Sequence, residues 1–125
     1  IDSPSEVGLG NLSSSGNALS GTFTATGDVV AYSDERLKEN VEVIPDALSK
    51  VKQLNGYTFT RNDLEDTTKR YTGVIAQEVL AVLPEAVVLG DTSEDTMSVA
   101  YGNMMGLMIE AIKELEAKVE RLENE

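Results

Sequence analysis

The sequence predicts an α+β chain of short strands and short helices that ends in one long helix. Two patterns support this: brief runs of alternating β-forming residues separated by amphipathic stretches, and a heptad repeat sustained to the end of the chain. A third observation divides the chain. Residues 1–32 carry no Lys or Arg and are rich in Gly, Ser, Thr and Asn, whereas the sequence from Ser33 onward is mixed, charged and periodic.

The length of 125 residues suits one domain with an appendage, or a piece of something longer. Ile1 opens without Met or a charged-then-apolar leader, so the expectation is a C-terminal piece with no signal peptide. No apolar run reaches the length of a membrane span, so no membrane partner is expected. With neither Cys nor His, the chain has no disulfides, no thiolate chemistry, no Ser-His-Asp triad and none of the usual zinc ligand sets. No metal or cofactor is expected. A formal net charge of −12 disfavours nucleic acid, whose phosphates need a basic surface. Two Phe, four Tyr and no Trp leave a modest aliphatic core, which favours oligomerisation.

Taken in order, Ile1 to Gly16 holds Pro4, three glycines and a Ser13–Ser15 run, and reads as loop or irregular extended chain. Leu19 to Tyr32 alternates weakly through Phe23, Ala25, Val29 and Val30, with breaks at Gly21 and Gly27. Two readings stand for residues 1–32: a disordered linker, or the β-structured end of a fibrous shaft whose strands share a core with other chains. After Ser33, the alternation of Val41, Val43 and Ile44 predicts a short strand. Pro45 then starts a helix through Leu48, Val51 and Leu54, with Asp46 at the positive end of its dipole and Asn55-Gly56 closing it. Tyr57–Thr60 and Tyr71–Val74 predict a β-hairpin around a long acidic tip. Ile75–Leu83 reads as a short helix stopped by Pro84. Val87–Leu89 and Met97–Val99 read as two more strands around an acidic loop. The acidic groups at Asp63–Asp66 and Asp91–Asp95 lack the Gly and terminal Glu spacing of a calcium loop, and are expected to be solvated tips.

The C-terminal helix is expected over residues 99–123. Tyr101, Met105, Met108, Ile112, Leu115, Val119 and Leu122 are spaced 4, 3, 4, 3, 4 and 3, a coiled-coil seam with Met105, Ile112 and Val119 at a positions. Lys118 at g and Glu123 at the next e suit an interchain pair in a parallel coil, and Glu114 with Lys118 makes an i,i+4 pair. Ile109 widens the apolar stripe near the start, which suits packing of that part on its own domain. Beyond Glu114 the stripe narrows to the seam.

The candidate chemistry lies at the composition break, in Ser33-Asp34-Glu35-Arg36-Leu37-Lys38. A hydroxyl and an amine five residues apart are what a self-cleaving chain needs once His and Cys are excluded. The alternative is a solvated, charged helix start. On a regular helix an i,i+5 pair sits about 140° apart, so a working pair requires a bent, non-helical turn. A lysine acts as base where burial or a nearby cation lowers its pKa. Arg36 is such a cation by sequence, opposed by Asp34, Glu35 and Glu39.

Ser33 to Asn40 resembles the opening of the intramolecular chaperone, or peptidase S74, domain at the C-termini of phage tail spikes and fibres. Further similar blocks follow in order: Asp46-Ala47-Leu48 with Leu54, Gly73 to Val79 with Pro84-Glu85, and Val99-Ala100-Tyr101 followed by Ile109 to Leu115. Upstream, Val7 to Asn11 is similar to a short motif of tail-fibre shafts. The resemblance implies an intertwined homotrimer, with residues 1–32 as a trimeric shaft end and residues 33–125 as the chaperone domain. It implies that the domain registers the fibre shaft of its own chain and then cuts itself off at Tyr32–Ser33, with Ser33 as nucleophile and Lys38 as base. Asp34, Arg36, Asn40, Gln77 and Glu78 are candidate supporting residues; for Gln77 and Glu78 the alternative is the polar face of a short helix. The implied setting is the host cytoplasm during assembly, then the virion tail. A trimeric cap that is never cut, and a receptor-binding tip, remain as alternatives.

Overall fold

The computed structural model describes residues 22–90 and 95–125. The chain divides into two compact units, 1–40 and 41–125.

In the first unit, residues 22–32 are irregular and exposed, without strand pairing. The strands expected between Leu19 and Tyr32 are therefore not formed in a single chain over the described part; Leu19 to Gly21 lie outside it. Strand pairing needs a neighbouring backbone, and among the described residues these have none paired with them. Among the described residues of this unit the one regular element is a 3₁₀ turn, Glu35–Leu37.

The described residues of the second unit form three α-helices and two small antiparallel sheets. Helix α1 spans Ala47–Lys52, strands β1 (Tyr57–Thr60) and β2 (Arg70–Gly73) form the hairpin, and α2 spans Ala76–Val82. Strands β3 (Val87–Val88) and β4 (Ser98–Val99) pair next, and α3 spans Met105–Glu123. The hairpin register sets Tyr57 opposite Gly73 and Phe59 opposite Tyr71. The Phe59 and Tyr71 rings stack with centroids 6.2 Å apart, and the Lys69 ammonium lies 4.9 Å from the Tyr71 ring centre. At the hairpin tip, Arg61 donates to Asp63, while Asp66 accepts from the Thr68 amide and hydroxyl. These acids thus organise their own loop. Of the second acidic group, residues 91–94 lie outside the described part.

Helix α2 ends as Pro84 predicts. Leu83 takes φ −146° and Pro84 opens a 3₁₀ turn, Pro84–Ala86, which leads into β3. Val87 pairs with Val99, and the Ala100 amide donates to the Ala86 carbonyl at 2.8 Å, extending that small sheet.

Three expectations are corrected. Val41–Ile44 forms no strand; Val41 and Val43 stay exposed and only Ile44 packs against the core. Helix α1 starts at Ala47, because Pro45 and Asp46 make a turn in which Asp46 takes a left-handed φ of 52°. The C-terminal α-helix starts at Met105, not at residue 99. Ser98–Val99 is held in β4, and Tyr101–Met104 turns the chain as a 3₁₀ segment first.

The core is small and aliphatic. Ala47, Val79, Val82, Leu83, Ala86, Met104, Leu107 and Ala111 are buried, with Leu107 and Val79 the largest side chains fully enclosed. Alanines at 47, 86 and 111 let the elements approach closely, and α1 packs on α3. Glu114 of α3 joins these helices in a way the spacing rules do not show. Its carboxylate accepts the Ala47 amide at 2.8 Å and the Leu48 amide at 3.0 Å, capping the N-terminus of α1. Asp46 makes no side-chain cap bond. Among the described residues Glu114 forms no ion pair with Lys118.

Candidate functional site

The segment Tyr32–Lys38 is a short bend that brings its two ends together. Asp34 is extended (φ −64°, ψ 134°), Glu35–Leu37 make one 3₁₀ turn, and Lys38 returns to an extended backbone (φ −114°, ψ 140°). Two backbone bonds close the turn, from the Leu37 amide to the Asp34 carbonyl at 3.0 Å and from the Lys38 amide to the Glu35 carbonyl at 3.1 Å. Because Ser33 and Lys38 flank the turn, the helical separation of about 140° does not apply. The Lys38 Nζ donates to the Ser33 Oγ at 2.7 Å. A neutral amine at the same separation would accept the hydroxyl proton instead.

Asp34 and Arg36 are tied together beside this pair. Asp34 Oδ1 accepts the Arg36 amide at 2.8 Å and its Nε at 3.1 Å, while Oδ2 accepts Nη2 at 2.7 Å. The Arg36 hydrogen bonds hold the Asp34 carboxyl below the ordinary aspartate range, and Asp34 raises Arg36 in turn. The guanidinium regarded by sequence as a neighbour for Lys38 is thus engaged by Asp34. Tyr32, Ser33 and Lys38 are all exposed, Tyr32 to 95%. Asn40 has φ 54°, a left-handed conformation that Asn tolerates better than most residues.

Gln77 and Glu78 belong to the second unit, on α2. Glu78 accepts the Tyr57 hydroxyl at 2.6 Å and the Asn55 amide nitrogen at 3.4 Å, tying the start of the hairpin to α2. Glu78, first through that hydrogen bond, raises the Tyr57 hydroxyl above the ordinary tyrosine value. Gln77 is exposed and lines an open cleft of 470 Å³ with Val74, Met97 and Tyr101.

Of the seam residues, Met105, Met108, Ile112, Leu115, Val119 and Leu122 lie on α3, while Tyr101 sits in the 3₁₀ segment and its hydroxyl oxygen accepts the Val74 amide at 3.3 Å. Met108 packs against the core; the other five on α3 are 46–66% exposed. The helix buries a different stripe. Met104, Leu107 and Ala111 face the core, and Glu114 continues that line. Their spacing of 3, 4 and 3 is a second periodic stripe readable in the sequence but overshadowed by the more apolar seam.

Residues 33–88 match the Peptidase_S74 family, described as the chaperone of endosialidase. The chain is 35% identical over 101 residues to the long tail fiber protein Gp37 of Enterobacteria phage K3, covering 78% of this chain and 8% of that protein. The Gp37 of Enterobacteria phage M1 is 34% identical over 112 residues, covering 82% and 45% respectively. That of Salmonella phage S16 is 31% identical over 91 residues, covering 68% and 12%. The chain thus spans less than half the length of these relatives. The family match over residues 33–88 and the likeness to these Gp37 proteins together support a chaperone domain of the phage tail fibre kind.

Proposed function

We propose that this chain is the C-terminal intramolecular chaperone of a phage tail fibre, which assembles as a homotrimer, brings three shaft strands into register, and then severs itself at Tyr32–Ser33. The observation that carries the reading is the 2.7 Å contact between Ser33 Oγ and Lys38 Nζ at the first residues of the family match. In the proposed reaction the neutral Lys38 amine takes the Ser33 hydroxyl proton as Oγ attacks the Tyr32 carbonyl carbon. The Ser33 nitrogen leaves with a proton returned by Lys38, and an ester joins Tyr32 to Ser33 Oγ. Water then attacks the ester, Lys38 again takes a proton, and Oγ departs as the hydroxyl. The products are a carboxylate at Tyr32 and a free amine on Ser33.

An amine in open water is protonated at neutral pH, so the base needs cover. Ser33 and Lys38 are exposed in the single chain, and the apolar stripe from Ile112 to Leu122 is exposed as well. Assembly of three chains would supply the cover, which makes cutting a consequence of correct assembly. Registering strands from separate chains is slow because loop closure and long-range pairing both cost entropy, and a pre-formed trimer raises the effective concentration of the strands. The mature fibre would remain in the virion tail after assembly in the host.

A denaturing gel of the wild type beside Ser33→Ala and Lys38→Ala tests the proposal, with N-terminal sequencing of the smaller product. The expected result is a wild-type product beginning at Ser33 and two intact mutants. The exposure of the dyad favours a second reading, a trimeric cap that stays attached, and an uncut wild-type band would select it.

A further inference from the structure

We infer that Asp34 is a positioning residue for the Ser33–Lys38 pair: its carboxylate fastens the bend that brings the amine to the hydroxyl. This inference rests on the proposed self-cleavage and adds a residue to it. Five residues of extended chain reach roughly 17 Å, so contact between residues 33 and 38 exists only while the backbone is folded back on itself. The bend is one 3₁₀ turn with two backbone hydrogen bonds and no buried side chain, so no enclosed core holds it. A single 3₁₀ turn in water has little intrinsic persistence.

What distinguishes this turn is its N-cap. Asp34 Oδ1 accepts the Arg36 amide at 2.8 Å, one of the donors that the start of a turn leaves unpaired. The same carboxylate grips the Arg36 side chain at Nε and Nη2, at 3.1 and 2.7 Å. The N-cap and the middle of the turn are thus pinned through one carboxylate, and the guanidinium is kept on Asp34. Ser33 precedes this cap directly, and Lys38 is the residue that closes the turn. Losing the cap would therefore release both reacting side chains together, while α3 and its exposed stripe would be untouched.

The test is the rate of self-cleavage of the full chain as wild type, Asp34→Ala and Asp34→Asn, with oligomeric state measured by sedimentation for each. Asparagine keeps an oxygen where Oδ1 caps the Arg36 amide, whereas alanine does not. Asp34→Ala is expected to slow cutting on the order of 100-fold, the effect of a displacement of about 1 Å between reacting groups. Oligomeric state should not change, and Asp34→Asn should recover most of the rate. Asp34→Ala cutting at the wild-type rate, or Asp34→Asn as slow as Asp34→Ala, overturns the inference. A second measurement does not depend on cutting: the nuclear Overhauser effect between Lys38 Hε and Ser33 Hβ in intact protein. It should be present in the wild type and lost in Asp34→Ala. If the wild type is never cut, the proposed function fails while this effect still decides the role of Asp34; its persistence in Asp34→Ala overturns that role.

Discussion

Replacing Glu114 by alanine tests how the C-terminal helix holds its domain together. Glu114 accepts two amides at the start of α1, from Ala47 at 2.8 Å and Leu48 at 3.0 Å. Ala47 is completely buried, so its amide has no water to turn to once the carboxylate is gone. An unsatisfied buried amide costs about 1–3 kcal/mol. Leu48 is half-buried and recovers part of its loss through solvent, and a lost helix cap is typically worth about 1 kcal/mol. Alanine returns a few tenths through its higher helix propensity. The net expectation is a destabilisation of about 2–3 kcal/mol, or roughly 10–20 °C in melting temperature for a unit of this size. Thermal unfolding followed by circular dichroism at fixed protein concentration measures it. Glu114→Gln, which keeps one acceptor oxygen, should lose roughly half as much. A Glu114→Ala variant within about 0.3 kcal/mol of wild type would refute the capping account, given that most effects of substitutions at plain surface sites are within about 0.5 kcal/mol. So would a Lys118→Ala variant that loses as much, since that would assign the effect to the i,i+4 pair.

Other consequences are equally direct. Leu115→Asp places a charge on an exposed, apolar position of α3 without touching the buried stripe, so sedimentation should show smaller assemblies while far-ultraviolet circular dichroism stays close to wild type. Gly73→Ala would set a methyl group against the Tyr101 hydroxyl and break its bond to the Val74 amide; Gly73→Ala combined with Tyr101→Phe should therefore be less destabilised than the two single effects summed. Asp34, Asp63 and Asp66 are all held below the ordinary aspartate value of 3.8, led by Arg36, Arg61 and Thr68 respectively. A depressed carboxyl pKa stabilises the folded form above the unfolded value and loses that contribution as pH falls through the folded one. Carboxyl carbon NMR should show these three titrating below free aspartate, with their turns loosening only in acid. Tyr57 has the opposite sense: its raised hydroxyl stabilises below the ordinary value near 10 and loses the effect as pH rises through the raised one. Phenolate absorbance should show a late-titrating component that disappears in Tyr57→Phe.

The elements carried by local pattern were readable from the residues. Tyr57–Thr60 and the stretch around Tyr71 alternate as strands do and pair as a hairpin, and Pro84 ends α2 because it has no amide to give. Val41–Ile44 alternates just as well yet pairs with nothing, because alternation describes how a strand would present its side chains, not whether a partner backbone exists. The start of α3 shows the same limit. Helical periodicity runs back to Tyr101, but pairing of Val99 with Val87 and the 3₁₀ turn after it delay the helix to Met105.

At the candidate site, residue types and spacing named Ser33 and Lys38 and required a bend between them. That the bend is a capped 3₁₀ turn, with Arg36 drawn onto Asp34, emerges from side-chain geometry that composition does not encode. Composition, periodicity and turn residues determined that this is an α+β chain with a hydroxyl–amine pair at its junction and a long amphipathic C-terminal helix, because those properties depend on near neighbours along the chain. The tertiary structure alone decided which stripe of that helix is buried and which carboxylate caps α1. Ala47 and Glu114 are 67 residues apart, and a bond over that distance exists only once the elements between them have folded.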